Sequence, residues 1–120
     1  MRECLAVGFG GFLGSVLRYL IGQIPLHEGC LFPVKTFAIN MIGAFAIGLI
    51  AAAAAKNSVL SPRLVLFLKV GVCGGFTTFS SFALETGDLL KSGNTSAALA
   101  YVILSAGLGI LAVFAGEAVL

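Results

Sequence analysis

The chain has 120 residues, 59% of them hydrophobic and 10% charged, with a net charge of +2 at neutral pH and a mean hydropathy of +1.10. Such a composition lies far outside the soluble globular range and identifies an integral membrane protein. It leaves no room for a soluble catalytic domain, and seven basic against five acidic residues, scattered along the chain, offer no surface for a nucleic acid or other polyanion.

The positions of the charges mark out the spans. A hydrocarbon core of ~30 Å takes roughly 20 apolar residues as helix, and four stretches qualify, at residues 4–24, 34–55, 63–85 and 95–117. The first carries an internal Arg18. Arg2 ahead of an apolar run resembles a signal peptide, but Arg18 and Tyr19 stand where a small-residue cleavage site belongs, so this span is expected to be retained. The second, Thr36 to Ala55, is uncharged between Lys35 and Lys56. The third, Leu64 to Leu84, is interrupted by Lys69 and ended by Glu85. The fourth, Ser92 to Gly116, is uncharged between Lys91 and Glu117. The loops carry turn-forming residues: Pro25, His27 and Gly29 in the first, Lys56 to Pro62 in the second, Asp88 to Asn94 in the third. None is large enough for chemistry, and residues 1–120 read as one all-α, four-span membrane domain.

Within the third span, Gly71 Val72 Cys73 Gly74 Gly75 Phe76 Thr77 Thr78 Phe79 Ser80 Ser81 Phe82 places glycines and hydroxyls in the middle of an apolar stretch. The pattern predicts a helix broken mid-span. Lipid offers no water to loose peptide groups, so unwound backbone at that depth belongs where it is buried in protein or lines a wet cavity. This segment is therefore the first candidate for a site.

Small residues at a spacing of four recur as Gly10 and Gly14, Gly71 and Gly75, and Ser105 and Gly109. They let helices approach closely, either within the chain or in a tightly packed oligomer. Arg2, Lys56, Arg63 and Lys69 lie towards the side of both termini, against Arg18, Lys35 and Lys91 on the other, almost no positive-inside bias. A chain so balanced can insert both ways and form an antiparallel pair, unless the one extra charge sets a single topology. Cys4, Cys30 and Cys73 make an odd count without metal-like pairing and read as small apolar fillers. One histidine gives neither a transition-metal cluster nor a Ser/His/Asp constellation, so no enzyme is expected. Glu3, Glu28, Asp88 and Glu117 sit near span ends. Glu85 alone stands beside the broken segment, either facing a pathway or as a helix-end carboxylate in water.

The residues resemble those of the CrcB or Fluc fluoride channels, over the whole chain. Gly10 Gly11, then Gly14, then Arg18 Tyr19 is similar to that family's first-helix signature. Thr36, Asn40, Gly43, Phe45 and Gly48 fall where its second-helix motif does, and Gly71 to Phe82, with Gly Gly Phe Thr Thr Phe Ser Ser Phe, is similar to its third-helix core. The departures are Ser81 in place of threonine, Lys35 in place of a small residue and Ala44 in place of serine. Ser81 keeps the hydroxyl, whereas Lys35 alters the charge at one vestibule.

The resemblance implies a fluoride-selective passive channel of the bacterial or archaeal inner membrane that exports cytoplasmic fluoride. It implies an antiparallel, dual-topology homodimer with two pathways, and a structural sodium ion held at the interface by the backbone carbonyls of Gly74 and Thr77. Fluoride is small and strongly hydrated, so a selective path replaces water with hydrogen-bond donors and stays narrow. Asn40 and Thr36 share a face of the second helix, Tyr101 and Ser105 a face of the fourth, and Ser80 and Ser81 add hydroxyls beside the break. Phe79 and Phe82 are packing residues on the plain reading; on the family reading they present the positive edges of their rings to the anion. The carbonyls of the break are hard ligands suited to sodium, or else bond to nearby hydroxyls such as Thr78 in a packing kink. Arg18 either anchors a helix end or draws anions into a vestibule, and Lys69 reads the same way from the opposite end of the third helix.

Two other readings remain at this stage. A small dual-topology, proton-coupled multidrug exporter shares the size and charge balance but needs a membrane-embedded acid, for which Glu85 is the one candidate. A non-transporting assembly subunit would pack by its glycines and leave the hydroxyls, Asn40 and the broken helix without a purpose.

Overall fold

The structure, a computed structural model, describes residues 1–25, 29–56 and 59–120; His27 and Glu28 of the first loop and positions 57–58 of the second lie outside them. Among the described residues all regular structure is helical. The elements are α1 (Arg2–Gly22), α2 (Val34–Lys56), a composite third span and α6 (Thr95–Ala118). Four helical units, Arg2–Gly22, Val34–Lys56, Pro62–Lys91 and Thr95–Ala118, are long and apolar enough to cross a membrane.

Local chemistry sets the helix ends. Pro33 lies just ahead of α2 and its carbonyl accepts the N–H of Phe37. Ser61 caps the third span, its hydroxyl accepting the N–H of Leu64 at 3.1 Å, and Pro62 follows in the first turn, where a missing N–H costs nothing. Gly93, at φ +83°, turns the chain out of the third span, with the N–H of Asn94 returned to the Leu89 carbonyl at 2.8 Å, a left-handed C-terminal cap. Lys35 has a defined place: its ammonium donates to the carbonyl of Gly22 at 3.0 Å, capping the end of α1. Lys56 likewise donates to the backbone oxygen of Leu120.

The third span is broken, as expected, but the unwound part is short. α3 (Pro62–Val65) leads into a π-helical stretch (Leu66–Cys73) and α4 (Gly74–Phe76); Thr77 and Thr78 are extended, and α5 (Phe79–Lys91) resumes the helix. Gly71 and Gly75 stay helical because they serve packing. A Cβ on Gly71 would stand 2.8 Å from the Cα of Gly10, and one on Gly75 2.6 Å from the carbonyl oxygen of Gly11. Gly10 and Gly14 meet the same backbone from the other side. These two small-residue pairs are thus spent inside the chain, on the contact of α1 with the third span, and supply no argument for an oligomer. α2 and α6 pack in the same manner through Gly48 against Val113 and Gly116 against Phe45 and Leu49.

The helix also runs on past Glu85 to Lys91, where the charge pattern had placed the end of the span at 85. Glu85 is accommodated inside the helix because hydroxyls of α2 and α6 bond to both of its oxygens. The buried apolar core is thin, comprising Ile39, Cys73, Phe76, Leu89, Ala98 and Tyr101, while Leu5, Phe9 and Phe12 of α1 and Ile103, Leu111 and Phe114 of α6 stay exposed. Lipid, rather than protein, solvates such faces. Of the cysteines only Cys73 is buried; Cys4 and Cys30 are exposed, so the reading as apolar fillers holds for Cys73 alone.

Candidate functional site

The break is held by side chains rather than by glycine flexibility. Thr77 turns its hydroxyl back to the Cys73 carbonyl at 2.9 Å, which also accepts the Thr77 N–H at 3.0 Å. Asn40 of α2 then takes both main-chain polar groups of the next residue: its Oδ1 accepts the Thr78 N–H at 2.8 Å, and its Nδ2 donates to the Thr78 carbonyl at 3.1 Å. Thr78 in turn caps α5, its Oγ1 accepting the Ser81 N–H at 3.2 Å, so that the N–H groups of Thr77, Thr78 and Ser81 each meet a named partner.

One consequence concerns the carbonyls. In a continuous helix the Gly74 oxygen would accept from the Thr78 N–H and the Thr77 oxygen from the Ser81 N–H. Both donors are engaged elsewhere, by Asn40 and by the Thr78 hydroxyl. Thr77 and Gly74 therefore lose their helical partners together, and both line the same cavity. The hydroxyl of Thr78 bonds to neither of these carbonyls, whereas that of Thr77 takes the Cys73 carbonyl, a bond of the packing-kink kind. Peptide oxygens so released are hard donors with the chemistry that alkali cations prefer.

That cavity, about 490 Å³, opens between α2, the break and α6. Asn40, Phe79, Phe82 and Ser105 line it, with Gly43, Ala44, Cys73 and Gly109. The Ser105 Oγ is the one buried side-chain polar atom without a hydrogen-bond partner among the described residues. Asn40, after its bond to Thr78, retains a second N–H on Nδ2. Phe79 is 78% exposed and its ring lies 5.7 Å from that of Phe82, tilted by 49°. Phe82 in turn meets Tyr101 edge-on at 4.9 Å.

Thr36 and Tyr101 belong to a different cluster. Thr36 Oγ1 donates to one oxygen of Glu85 at 2.8 Å and the Tyr101 hydroxyl to the other, also at 2.8 Å. Tyr101 is fully buried. The expected track of free hydroxyls is thus corrected at two positions, whose protons are directed at a carboxylate. Of the two readings of Glu85, pathway group or helix-end carboxylate in water, the second is not met: Glu85 lies within α5 and accepts hydroxyls from α2 and α6. Ser80 and Ser81 lie at the start of α5 and outside the cavity lining; Ser80 is 3.4 Å from the Thr78 hydroxyl. Arg18 is brought to the break itself, its Nε donating to the Gly75 carbonyl at 3.1 Å. Lys69 stays exposed in the π-helical stretch.

Comparison with known proteins matches residues 5–117 to the family model described as CrcB-like protein, Camphor Resistance (CrcB). Among curated relatives, the fluoride-specific ion channel FluC of Rhizobium meliloti (strain 1021) is 47% identical over 121 aligned positions, covering 100% of this chain and 97% of the relative. The protein of the same name from Chlorobaculum tepidum is 45% identical, covering 97% and 92%, and that from Gloeothece citriformis 43%, covering 97% and 94%. With the four spans, the broken third helix and a match over nearly its full length, the chain belongs to the CrcB-like family.

Proposed function

We propose that this chain is a fluoride-specific ion channel, a multi-pass protein of the bacterial plasma membrane that lets cytoplasmic fluoride leave passively. The observation that carries the reading is the similarity, over essentially the whole length of both chains, to bacterial proteins named for that activity. The geometry suits it. A dehydrated fluoride needs donors without a trapping positive charge, and the cavity is lined by Ser105, whose hydroxyl has no partner, by Asn40 with its second N–H, and by Phe79 and Phe82. HF crosses lipid as a neutral acid and dissociates inside; a conductive pathway for the anion then suffices for export across a membrane negative within. No group on this route performs bond chemistry, so the protein is a transporter and not an enzyme.

The cavity faces outward on one side of the four-helix unit, and a second copy in antiparallel orientation would close it into two narrow pathways. This homodimer accounts for the near-even charge balance and for a hydroxyl left unpartnered in the single chain. Sodium fits the two carbonyls deprived of their helical donors, those of Gly74 and Thr77. Bound there by both copies, it supplies a fixed positive charge and a link between subunits. Thr36 and Tyr101 take part where Glu85 yields their hydroxyls, and Ser80 and Ser81 flank the end of the route. The proton-coupled multidrug exporter is not favoured: the relatives' names point to fluoride, and each oxygen of the Glu85 carboxylate accepts a neutral hydroxyl, while Glu85 is not among the residues that line the cavity.

The test is fluoride efflux from liposomes holding the purified protein, read with a fluoride electrode, with a potassium shunt and chloride-loaded controls. Shunt-dependent fluoride efflux without chloride efflux is expected. Absence of fluoride efflux from folded protein overturns the reading.

A further inference from the structure

We propose that Arg18 is a positioning residue for the helix break: its guanidinium caps the Gly75 carbonyl and thereby holds the end of the third span's first half in a single geometry. The functional consequence rests on the channel reading above; the geometry does not. The Arg18 Nε–H donates to the Gly75 oxygen at 3.1 Å across 57 residues of sequence. The extended pair Thr77 and Thr78 carries the chain away after Phe76, so this carbonyl is one of the terminal acceptors that a helix leaves unmatched. The partial negative charge of a helix C-terminus favours a cation there, and at membrane depth no water can take the place of a donor.

The face of α1 explains how the arginine arrives. Gly10, Gly14 and Arg18, four residues apart, lie one above another. A Cβ on Gly10 would stand 2.9 Å from the Gly71 Cα, and one on Gly14 2.7 Å from the Phe76 nitrogen. The two glycines thus press α1 onto the backbone up to Phe76, and the next residue of the same stripe reaches over the end of that helix. Asn40, from α2, holds the Thr78 peptide on the other side of the gap. The break is pinned at both edges, at Gly75 by Arg18 and at Thr78 by Asn40; the Thr77 carbonyl lies between the two pinned residues and that of Gly74 directly precedes the first. An intramembrane arginine is rare unless it is paired or functional, and a planar guanidinium whose Nε–H fits a backbone carbonyl is not replaced in kind by an ammonium. An arginine that merely drew anions by its charge would need no such contact and would tolerate lysine.

The test uses the full chain with Cys4→Ser and Cys30→Ser, which leaves Cys73, 4% exposed and one turn before Thr77, as the reporter thiol. Its reaction rate with N-ethylmaleimide, a neutral reagent, reads the closure of the break without reference to fluoride; because the thiolate is the reacting form, the deciding variant is Arg18→Lys, which keeps the positive charge. Arg18→Lys and Arg18→Gln are both expected to raise that rate at least tenfold in folded protein and to lower fluoride efflux at least tenfold. In the unsubstituted chain carrying 15N-arginine, the Arg18 Nε–H is expected to be protected from solvent exchange while those of Arg2 and Arg63 are not. An Arg18→Lys labelling rate within twofold of the parent overturns the proposal, and reduced efflux alongside it would assign Arg18 to vestibule charge instead. An unprotected Arg18 Nε–H overturns it even if neither variant folds. Should labelling and protection follow expectation while the parent passes no fluoride, the capping role stands and the channel reading fails.

Discussion

Asn40 makes the sharpest quantitative test of the break. Its amide meets both the N–H and the carbonyl of Thr78, at 2.8 and 3.1 Å, so Asn40→Ala strips two successive peptide groups of one partner each. Leaving a buried donor or acceptor unsatisfied costs about 1–3 kcal/mol each, which brackets the loss at about 2–6 kcal/mol. The Thr78 N–H can fall back on the Gly74 carbonyl, its acceptor in an unbroken helix, and this relief places the expected value near 2–3 kcal/mol. At about 1.4 kcal/mol per factor of ten, the unfolding equilibrium shifts by about 30- to 150-fold. Asn40→Asp separates the two bonds. It keeps an acceptor for the Thr78 N–H but sets a second carboxylate oxygen against the Thr78 carbonyl, and is expected to be at least as unstable as the alanine variant. Denaturant titration in detergent micelles, followed by circular dichroism, measures the stabilities, and liposome fluoride efflux runs in parallel. Should the aspartate variant match wild-type stability, or the alanine variant lose less than about 0.5 kcal/mol, the two-bond clamp does not hold the break.

Gly14→Ala forces a Cβ into the Phe76 and Gly75 backbone, whereas the same change at Gly8 meets nothing within 4 Å; loss of folded yield for the first and wild-type yield for the second is expected by size-exclusion chromatography. Ser105→Ala removes a buried hydroxyl that has no partner, so stability should hold within about 1 kcal/mol while fluoride efflux falls at least tenfold; unchanged efflux would remove Ser105 from the route. Glu85→Ala leaves the Thr36 and Tyr101 hydroxyls without their acceptor and is expected to cost about 2–4 kcal/mol, with Glu85→Gln intermediate because its amide keeps one acceptor oxygen. Replacing sodium by N-methyl-D-glucamine throughout purification is expected to shift the protein from dimer to monomer in light scattering; a dimer indifferent to the cation refutes the sodium assignment.

Some of the site was legible before any coordinates. The mid-span glycines and hydroxyls of residues 71–82 predicted a broken helix, and a break is found, because a run of that composition has no other stable place in a membrane. Its detail was not legible. The glycines at 71 and 75 read both as part of the broken run and as a close-packing pair, and which use they serve depends on Gly10 and Gly11 lying opposite, a fact of three dimensions. Lys35 looked like a vestibule charge and is instead committed to the Gly22 carbonyl. Glu85 looked like a helix end because charge usually terminates a span; it is tolerated where two hydroxyls from other helices converge on it.

What the sequence by itself determined is the class: four apolar segments of membrane length, in a chain too hydrophobic for water, forming helices because each backbone group in lipid must find its partner within the segment. Hydropathy and helical hydrogen bonding are local quantities, so a one-dimensional string carries them. Only the tertiary structure decided how the polar groups are allotted. Asn40 to Thr78, Thr36 and Tyr101 to Glu85, and Arg18 to Gly75 are contacts between helices distant in sequence, and a donor committed to one partner is withdrawn from another. That allotment leaves the Ser105 hydroxyl and the Gly74 and Thr77 carbonyls open at one cavity, and it follows from how the helices pack.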